Sequence, residues 1–241
     1  MDSANAVNVT RQTALADTLD VIANNLANMS TGGYRREGVV FSEYVKALEN
    51  SEVGSLSMAD ARGRYIDLSQ GQLNRTGGQF DLAIEGPGFF QVETPDGPRL
   101  TRAGAFRPNA AGELVDADGR RLLDAAGGPI FVPAENAAIT VSPDGAVSAD
   151  GQLIAQIGVF DAPASALRRD TGTLLTAAAD VIQPVAAPRI AQGYLEGSNV
   201  NPIVTLTQMI EVQRAYEMGS QLMSQQSDLQ KQMIDRLGSQ N

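Results

Sequence analysis

Residues 15–36 read LADTLDVIANNLANMSTGGYRR, and their periodicity decides how the amino-terminal part of the chain folds. Leu15, Leu19, Ile22, Leu26 and Met29 follow steps of 4, 3, 4 and 3, with Asp, Thr and Asn on the other faces. That spacing predicts an amphipathic helix whose apolar stripe runs along a coiled-coil-like seam. Ser30-Thr31-Gly32-Gly33 then offers glycine where a helix end wants a left-handed residue. A short basic, aromatic, strand-like piece follows at Tyr34-Arg35-Arg36.

The other end of the chain carries the matching signal. Asn201-Pro202 has the order of a helix start, asparagine as the cap and proline at the first helical position, where its missing N–H removes no bond. From there to about Leu237, Met209, Val212, Tyr216, Gly219, Met223, Gln226, Gln230, Met233 and Leu237 keep alternating steps of 3 and 4. Leu222 and Leu229 widen this stripe, while Gly219, Gln226 and Gln230 weaken it. Neither helix buries its stripe alone, so the two are expected to pack against each other, against neighbouring molecules, or on a common core.

Between the helices the period falls to 2. Leu82 and Ile84, Phe90 and Val92, Ile139 and Val141, and the run Leu153, Ala155, Ile157, Val159 alternate as half-buried strands do. Asp96-Gly97, Asp118-Gly119, Asp144-Gly145 and Asp150-Gly151 supply the residues that tight turns demand. The fold class expected is therefore α+β, an antiparallel β domain inserted between N- and C-terminal helices that pair as a coiled coil. Residues 1–33 form the first helix, 34–75 an extended connector, 76–190 the β domain and 191–241 the second helix with its lead-in. The turn and strand signals fit a barrel and a sandwich equally.

Composition removes most chemistry. The 241 residues contain no cysteine, histidine or tryptophan, which excludes disulfides, thiol and imidazole catalysis, Cys/His zinc sites and Ser-His-Asp triads. The only lysines, Lys46 and Lys231, lie in no glycine-rich phosphate loop. A net charge of −10 argues against nucleic acid or an anionic membrane surface as partner. No apolar run reaches the ~18 residues of a membrane span. The first thirty residues lack the basic and apolar regions of a cleaved secretory signal, so none is expected.

The remaining catalytic reading is a carboxylate pair, Asp81 and Glu85, acting as a cell-wall hydrolase. Four residues along a strand, at roughly 3.3 Å each, put their backbones about 13 Å apart, and no tryptophan is present to stack a sugar. A solvated strand edge describes them better. The Asp-Gly pairs lack the ligand order of a calcium loop and read as turns. Asn24, Asn25 and Asn28 are poor choices inside a helix unless something uses their amides, and beside the seam they suit a register-setting role. Arg214 sits beside Glu211 and Glu217, where an ion pair along the helix is the simpler reading.

Three groups of residues share a further likeness. Asn24-Asn25-Leu26-Ala27-Asn28 with Ser30-Thr31-Gly32-Gly33-Tyr34-Arg35-Arg36 resembles the amino-terminal motif of the flagellar basal-body rod and hook proteins. Gly197-Ser198-Asn199-Val200-Asn201-Pro202, Met209-Ile210 and Gln213-Arg214-Ala215-Tyr216-Glu217 are similar to the same family's carboxy-terminal motif. Asp81 to Phe90 and Thr101 to Phe106 resemble the start of its β domain. The resemblance implies a structural subunit without cofactor or metal, polymerising through its terminal helices into the axial drive shaft. It also implies export through the flagellar type III apparatus without a cleaved signal, and partners that are copies of itself and other rod proteins. The short middle favours the proximal part of the rod, with the distal part as the alternative, and disfavours the hook. On this reading the assembly interface comprises Leu15, Leu19, Ile22, Asn24, Asn25, Leu26 and Asn28, together with Met209, Val212, Arg214, Tyr216, Met223, Met233 and Leu237.

Overall fold

The computed structural model describes residues 2–46, 56–133 and 138–238 and divides the chain into two compact units. One unit holds the two ends of the chain, Met1–Leu26 and Pro202–Asn241, together with Glu37–Arg64. Its helices are α1 (Asp2–Ala27) and α2 (Pro202–Gly238). Helix α2 starts where proline is tolerated and runs 37 residues with Gly219 as its only glycine before the end. The two helices pack against each other, as the unburied stripes require. Strands β1 (Glu37–Lys46) and β2 (Leu56–Ile66) hydrogen-bond to each other as a two-stranded sheet.

The other unit, Ala27–Arg36 and Tyr65–Asn201, is antiparallel throughout its named strand pairs. Its strands in chain order are β3 (Leu73–Arg75), β4 (Leu82–Ile84), β5 (Phe89–Thr94), β6 (Gly97–Thr101), β7 (Arg107–Pro108), β8 (Leu114–Val115), β9 (Ile139–Val141) and β10 (Ala146–Ala149). They continue with β11 (Gln152–Gln156), β12 (Val159–Asp161), β13 (Arg168–Arg169), β14 (Leu175–Thr176), β15 (Gln183–Pro184), β16 (Ile190–Gln192) and β17 (Tyr194–Glu196). A six-stranded sheet runs β13-β14-β6-β5-β12-β15, a three-stranded sheet runs β11-β10-β9, and β16 pairs with β4 and β17 with β3.

Strand β5 shows why the sheet forms here. Its side chains alternate between two cores, Phe89 entering one with Leu100, Leu167 and Leu175, and Phe90 and Val92 entering the other with Leu82, Leu122, Ile130 and Ile157. A strand buried on both faces needs apolar residues at successive positions, and Phe89-Phe90 supplies them. Phe90 meets Phe106 edge to face, the centroids 5.6 Å apart.

All four Asp-Gly pairs sit at turns. In the β10–β11 hairpin Asp150 and Gly151 both take positive φ (49° and 81°) between the paired Ala149 and Gln152, the backbone of a type I′ turn.

Two local expectations change. The run from Leu153 to Val159 is not one half-buried strand: Leu153 is 70% exposed on β11, whereas Ile157 and Val159 are buried. The strand breaks at Gly158, where a Cβ would stand 2.5 Å from the Phe160 ring and 2.9 Å from the Asp124 carbonyl. Gly33, read as part of a helix end, is left-handed (φ 71°) for another reason: a Cβ there would lie 2.3 Å from the amide nitrogen of Ala103. It allows two backbones to touch several residues beyond α1.

Candidate assembly interface

In the helical unit the seam of α2 is Thr205, Met209, Val212, Ala215, Gly219, Met223 and Gln226, the residues of its described length that are buried or half-buried. Arg214 is exposed, and Tyr216 stands at the seam's edge, 38% exposed. The side chains of Met233 and Leu237 lie outside the described residues. On α1, Ile22 is buried with Ala14 and Val21, and Leu15, Leu19 and Leu26 are half-buried. Met29 lies beyond the helix in the β unit and is 46% exposed.

The weak points of the stripe have a use. Gln12 is buried, and its Nε2 donates to the carbonyl of Tyr216 at 3.0 Å across the two helices. Gly219 makes room for it, since a Cβ there would fall 2.1 Å from that nitrogen. Gln12, absent from the sequence-derived set, is thus the polar residue that fixes the helix pair at this level. Its position one turn before Leu15 and Ala16 carried no apolar signal.

The three asparagines part company. Asn25 is buried, its Nδ2 donating to the carbonyl of Glu37 at 2.7 Å and its Oδ1 accepting from the Glu37 amide at 2.9 Å. One side-chain amide therefore satisfies both backbone groups of the first residue of β1, as a neighbouring strand would. Asn24 is exposed and bonds the carbonyl of Asp20 in its own helix. Asn28 accepts from the Thr31 hydroxyl in the turn after α1.

Helix α2 also carries apolar side chains outside the seam. Ile203 (77% exposed), Leu206, Ile210, Met218 (65% exposed), Leu222 and Leu229 are open to solvent. Leu222 and Leu229, each three positions after a seam residue (Gly219 and Gln226), flank the seam and stay exposed.

In the β unit the residues of the two terminal motifs meet. Glu196 is 2% exposed and accepts at Oε1 from Arg35 Nη1 (2.5 Å) and the Gly71 amide (2.8 Å), and at Oε2 from Arg102 Nη1 (3.1 Å). Its carbonyl accepts from the Gly33 amide at 2.8 Å. Arg35 also donates to Ser69 O, and Arg102 to the carbonyls of Ile84 and Gly86. Asn199 completes the clasp: its Oδ1 takes the Arg36 amide at 2.6 Å and its Nδ2 bonds the carbonyls of Asp67 and Ser69. Arg169 stacks on Tyr34 at 4.2 Å.

Burial, with a smaller push from Arg35, outweighs the pull of Glu196 and Asp161 and lowers the Arg102 pKa to about 10. Arg102 remains charged at neutral pH. Breaking such a buried pair by deleting one partner costs about 3–5 kcal/mol. Asp67 is the partly exposed member: burial works to raise its pKa, but bonds from the Ser69 amide and hydroxyl and from Arg36 outweigh that and hold it below the ordinary carboxylate value. The sequence reading marked Arg35, Arg102, Glu196 and Asn199 only as parts of motifs and gave none of them a role. Arg102 and Glu196 stand 94 positions apart, with no local signal joining them.

Asp81, the imagined catalytic acid, accepts from the Thr76 hydroxyl at 2.6 Å, and Glu85 is exposed. Paired terminal helices with an apolar seam, and terminal motifs clasped within the β unit, are the build of a structural protein.

Comparison with known proteins says which one. Residues 6–35 match the flagella basal body rod protein family, residues 83–149 the D1 domain of the flagellar hook protein FlgE/F/G, and residues 191–236 the carboxy-terminal part of the flagellar basal body rod FlgEFG proteins. The flagellar basal-body rod protein FlgF of Caulobacter vibrioides is 36% identical over 99% of both chains, and that of Mesorhizobium japonicum is 36% identical over 97% of both. FlgG of Agrobacterium fabrum is 33% identical over 91% of this chain and 93% of its own. The chain belongs to the flagellar basal-body rod protein family and is of the FlgF-like, proximal-rod type. It is a structural protein and not an enzyme. Among the described residues no helix is long and apolar enough to cross a membrane.

Replacing Asn25 with Ala strips both backbone groups of the buried Glu37 of these partners. A loss of about 2–4 kcal/mol is expected, read as a lower urea midpoint of the helical circular dichroism signal. For Asp67, a folded-state pKa below the unfolded value means its contribution is complete above about pH 5 and fades as pH falls through the folded pKa. The stability gap between wild type and Asp67→Asn is therefore expected to be constant from pH 7 to about pH 5 and to shrink below about pH 4. An acid series of urea midpoints checks this, and a gap that persists to about pH 2.5 contradicts it.

Proposed function

We propose that this chain builds the proximal part of the basal-body rod by packing the free side of its terminal helices against copies of itself and against other rod proteins. The β unit serves as a folded spacer. The reading rests on one observation above all, the apolar side chains that α2 leaves exposed, Leu206, Ile210, Met218, Leu222 and Leu229. Helix α1 packs on the seam, and these side chains stay open to solvent in the single chain. Fully burying each such side chain is worth about 1.5–3 kcal/mol, enough in sum to drive association. The proposed assembly residues are Leu15, Leu19, Ile22, Leu26, Met209, Val212, Tyr216 and Met223, which shape the helix pair, the exposed apolar residues of α2, which meet the neighbour, and Met233 and Leu237, whose side chains lie outside the described residues. Asn24, exposed on α1, and Arg214, exposed on α2, offer polar contacts to that neighbour, while Asn25 and Asn28 hold the turn out of α1.

Delivery to the rod is proposed to run through the flagellar type III export apparatus without a cleaved signal. The absence of cysteine is compatible with that route, since no thiol can cross-link in an oxidising compartment.

The double variant Met218→Lys/Leu222→Lys tests the assembly claim. The isolated protein is expected to keep its helical signal and urea midpoint, because neither side chain is buried, while its incorporation into purified basal bodies falls below detection and cells lose swimming. Normal incorporation of the variant contradicts the proposal.

A further inference from the structure

Two buried guanidiniums share one buried carboxylate. Arg35 and Arg102 are 1% and 3% exposed, Glu196 is 2% exposed, and the cluster carries an excess positive charge. Nε and Nη2 of Arg35 and Nε of Arg102 have no hydrogen-bond partner among the described residues. Without Glu196, the two cations would face each other in a site with little water to screen them.

The segments that Glu196 joins are those the hydrophobic cores do not hold. The larger core draws its buried members from Leu82 to Ile190, and the smaller from Ile66 to Leu175. Neither includes Gly33–Arg36, Gln70–Arg75 or Tyr194–Asn201. These stretches are tied instead by the Glu196 bonds, by the β3–β17 pairing, and by Asn199 bonding Arg36 and Tyr34. Tyr34 is buried, but its ring lies under Arg169, whose guanidinium also donates to the Arg35 carbonyl. The incoming chain from α1 and the outgoing chain to α2 thus run side by side on polar contacts.

We propose that Glu196 is a latch. The β unit has an open form, in which both cores are intact and residues 30–36, 69–75 and 194–201 are released, and a closed form that exists only with the Glu196 carboxylate seated between Arg35 and Arg102. Repulsion between the two arginines holds the open form open, and the carboxylate reverses it. Closure fixes the two strands of chain that lead to the helices, so the latch decides whether the subunit presents them in a defined relation. That consequence rests on the assembly reading above, but the latch itself is a property of the isolated chain.

Hydrogen exchange on the full-length monomer tests it without reference to assembly. In Glu196→Gln the amides of Gly33, Arg36, Gly71 and Gly197 are expected to exchange roughly tenfold faster or more, while those of Leu114, Leu122 and Ile130 keep wild-type rates. Adding Arg35→Met to Glu196→Gln removes the repulsion and is expected to return part of the protection at Gly71 and Gly197. Wild-type rates at these four amides in Glu196→Gln overturn the proposal, as does a simultaneous acceleration at Leu114, Leu122 and Ile130, which would mean one cooperative unit with no open form. Failure of Arg35→Met to restore any protection overturns its electrostatic basis. If Glu196→Gln cannot be obtained folded, exchange of the wild type in low urea decides. The four clasp amides are expected to open at lower urea than the core amides, and coincident opening contradicts the latch.

Discussion

Helix α2 carries an apolar seam on which α1 packs, and further apolar side chains that stay exposed. This constraint organises everything else in the chain. A helix of 37 residues with an apolar seam is not stable as a free surface feature, and that seam is satisfied within the molecule while Leu206, Ile210, Met218, Leu222 and Leu229 remain exposed. The seam is also irregular. Gly219 and Gln12 interlock in it, and the Tyr216 carbonyl takes the glutamine amide, so the pairing of α1 with α2 has one matched level instead of a uniform hydrophobic ladder that slides.

The β unit solves a different problem. Its apolar cores close around β5, but the chain segments entering from α1 and leaving towards α2 contribute almost nothing to them. Buried charge does that work: Glu196 gathers Arg35, Gly71 and Arg102, and Asn199 gathers Arg36, Asp67 and Ser69. Buried ion pairs add little to stability compared with apolar packing, yet they penalise wrong arrangements heavily, because a misplaced partner strands a charge in the interior. Placing such a cluster where two distant motifs must meet fixes their pairing more sharply than a patch of leucines would.

Much of this was legible in the sequence. The alternating steps of Met209, Val212 and Met223 gave the seam of α2, Asn201-Pro202 gave its first turn, and the Asp-Gly pairs gave the turns of the β unit, because each is a local periodicity or a local backbone requirement. The reading failed where the determinant is a contact between distant residues. Leu222 and Leu229 do flank the α2 seam, and only the structure shows that they stay exposed there. Gly33 carried the mark of a helix end, but its freedom is used to let Ala103 approach. Asn25 was visible as an anomaly inside a helix; that its partner is the backbone of Glu37 depends on where β1 begins. The Glu196 clasp has no sequence signature, since a lone glutamate and two arginines spread over 161 positions look like surface charge.

The chain contains no cysteine, so Leu222→Cys introduces a single thiol among the exposed apolar residues of α2. The measurement is its rate of reaction with a water-soluble maleimide, in the purified monomer and in intact basal bodies carrying the variant. If neighbours cover these residues, the thiol reacts readily in the monomer and at least about a hundredfold more slowly in the rod. Equal rates in the two states would show that this position stays open to water in the assembled structure, and that the rod is built through some other surface.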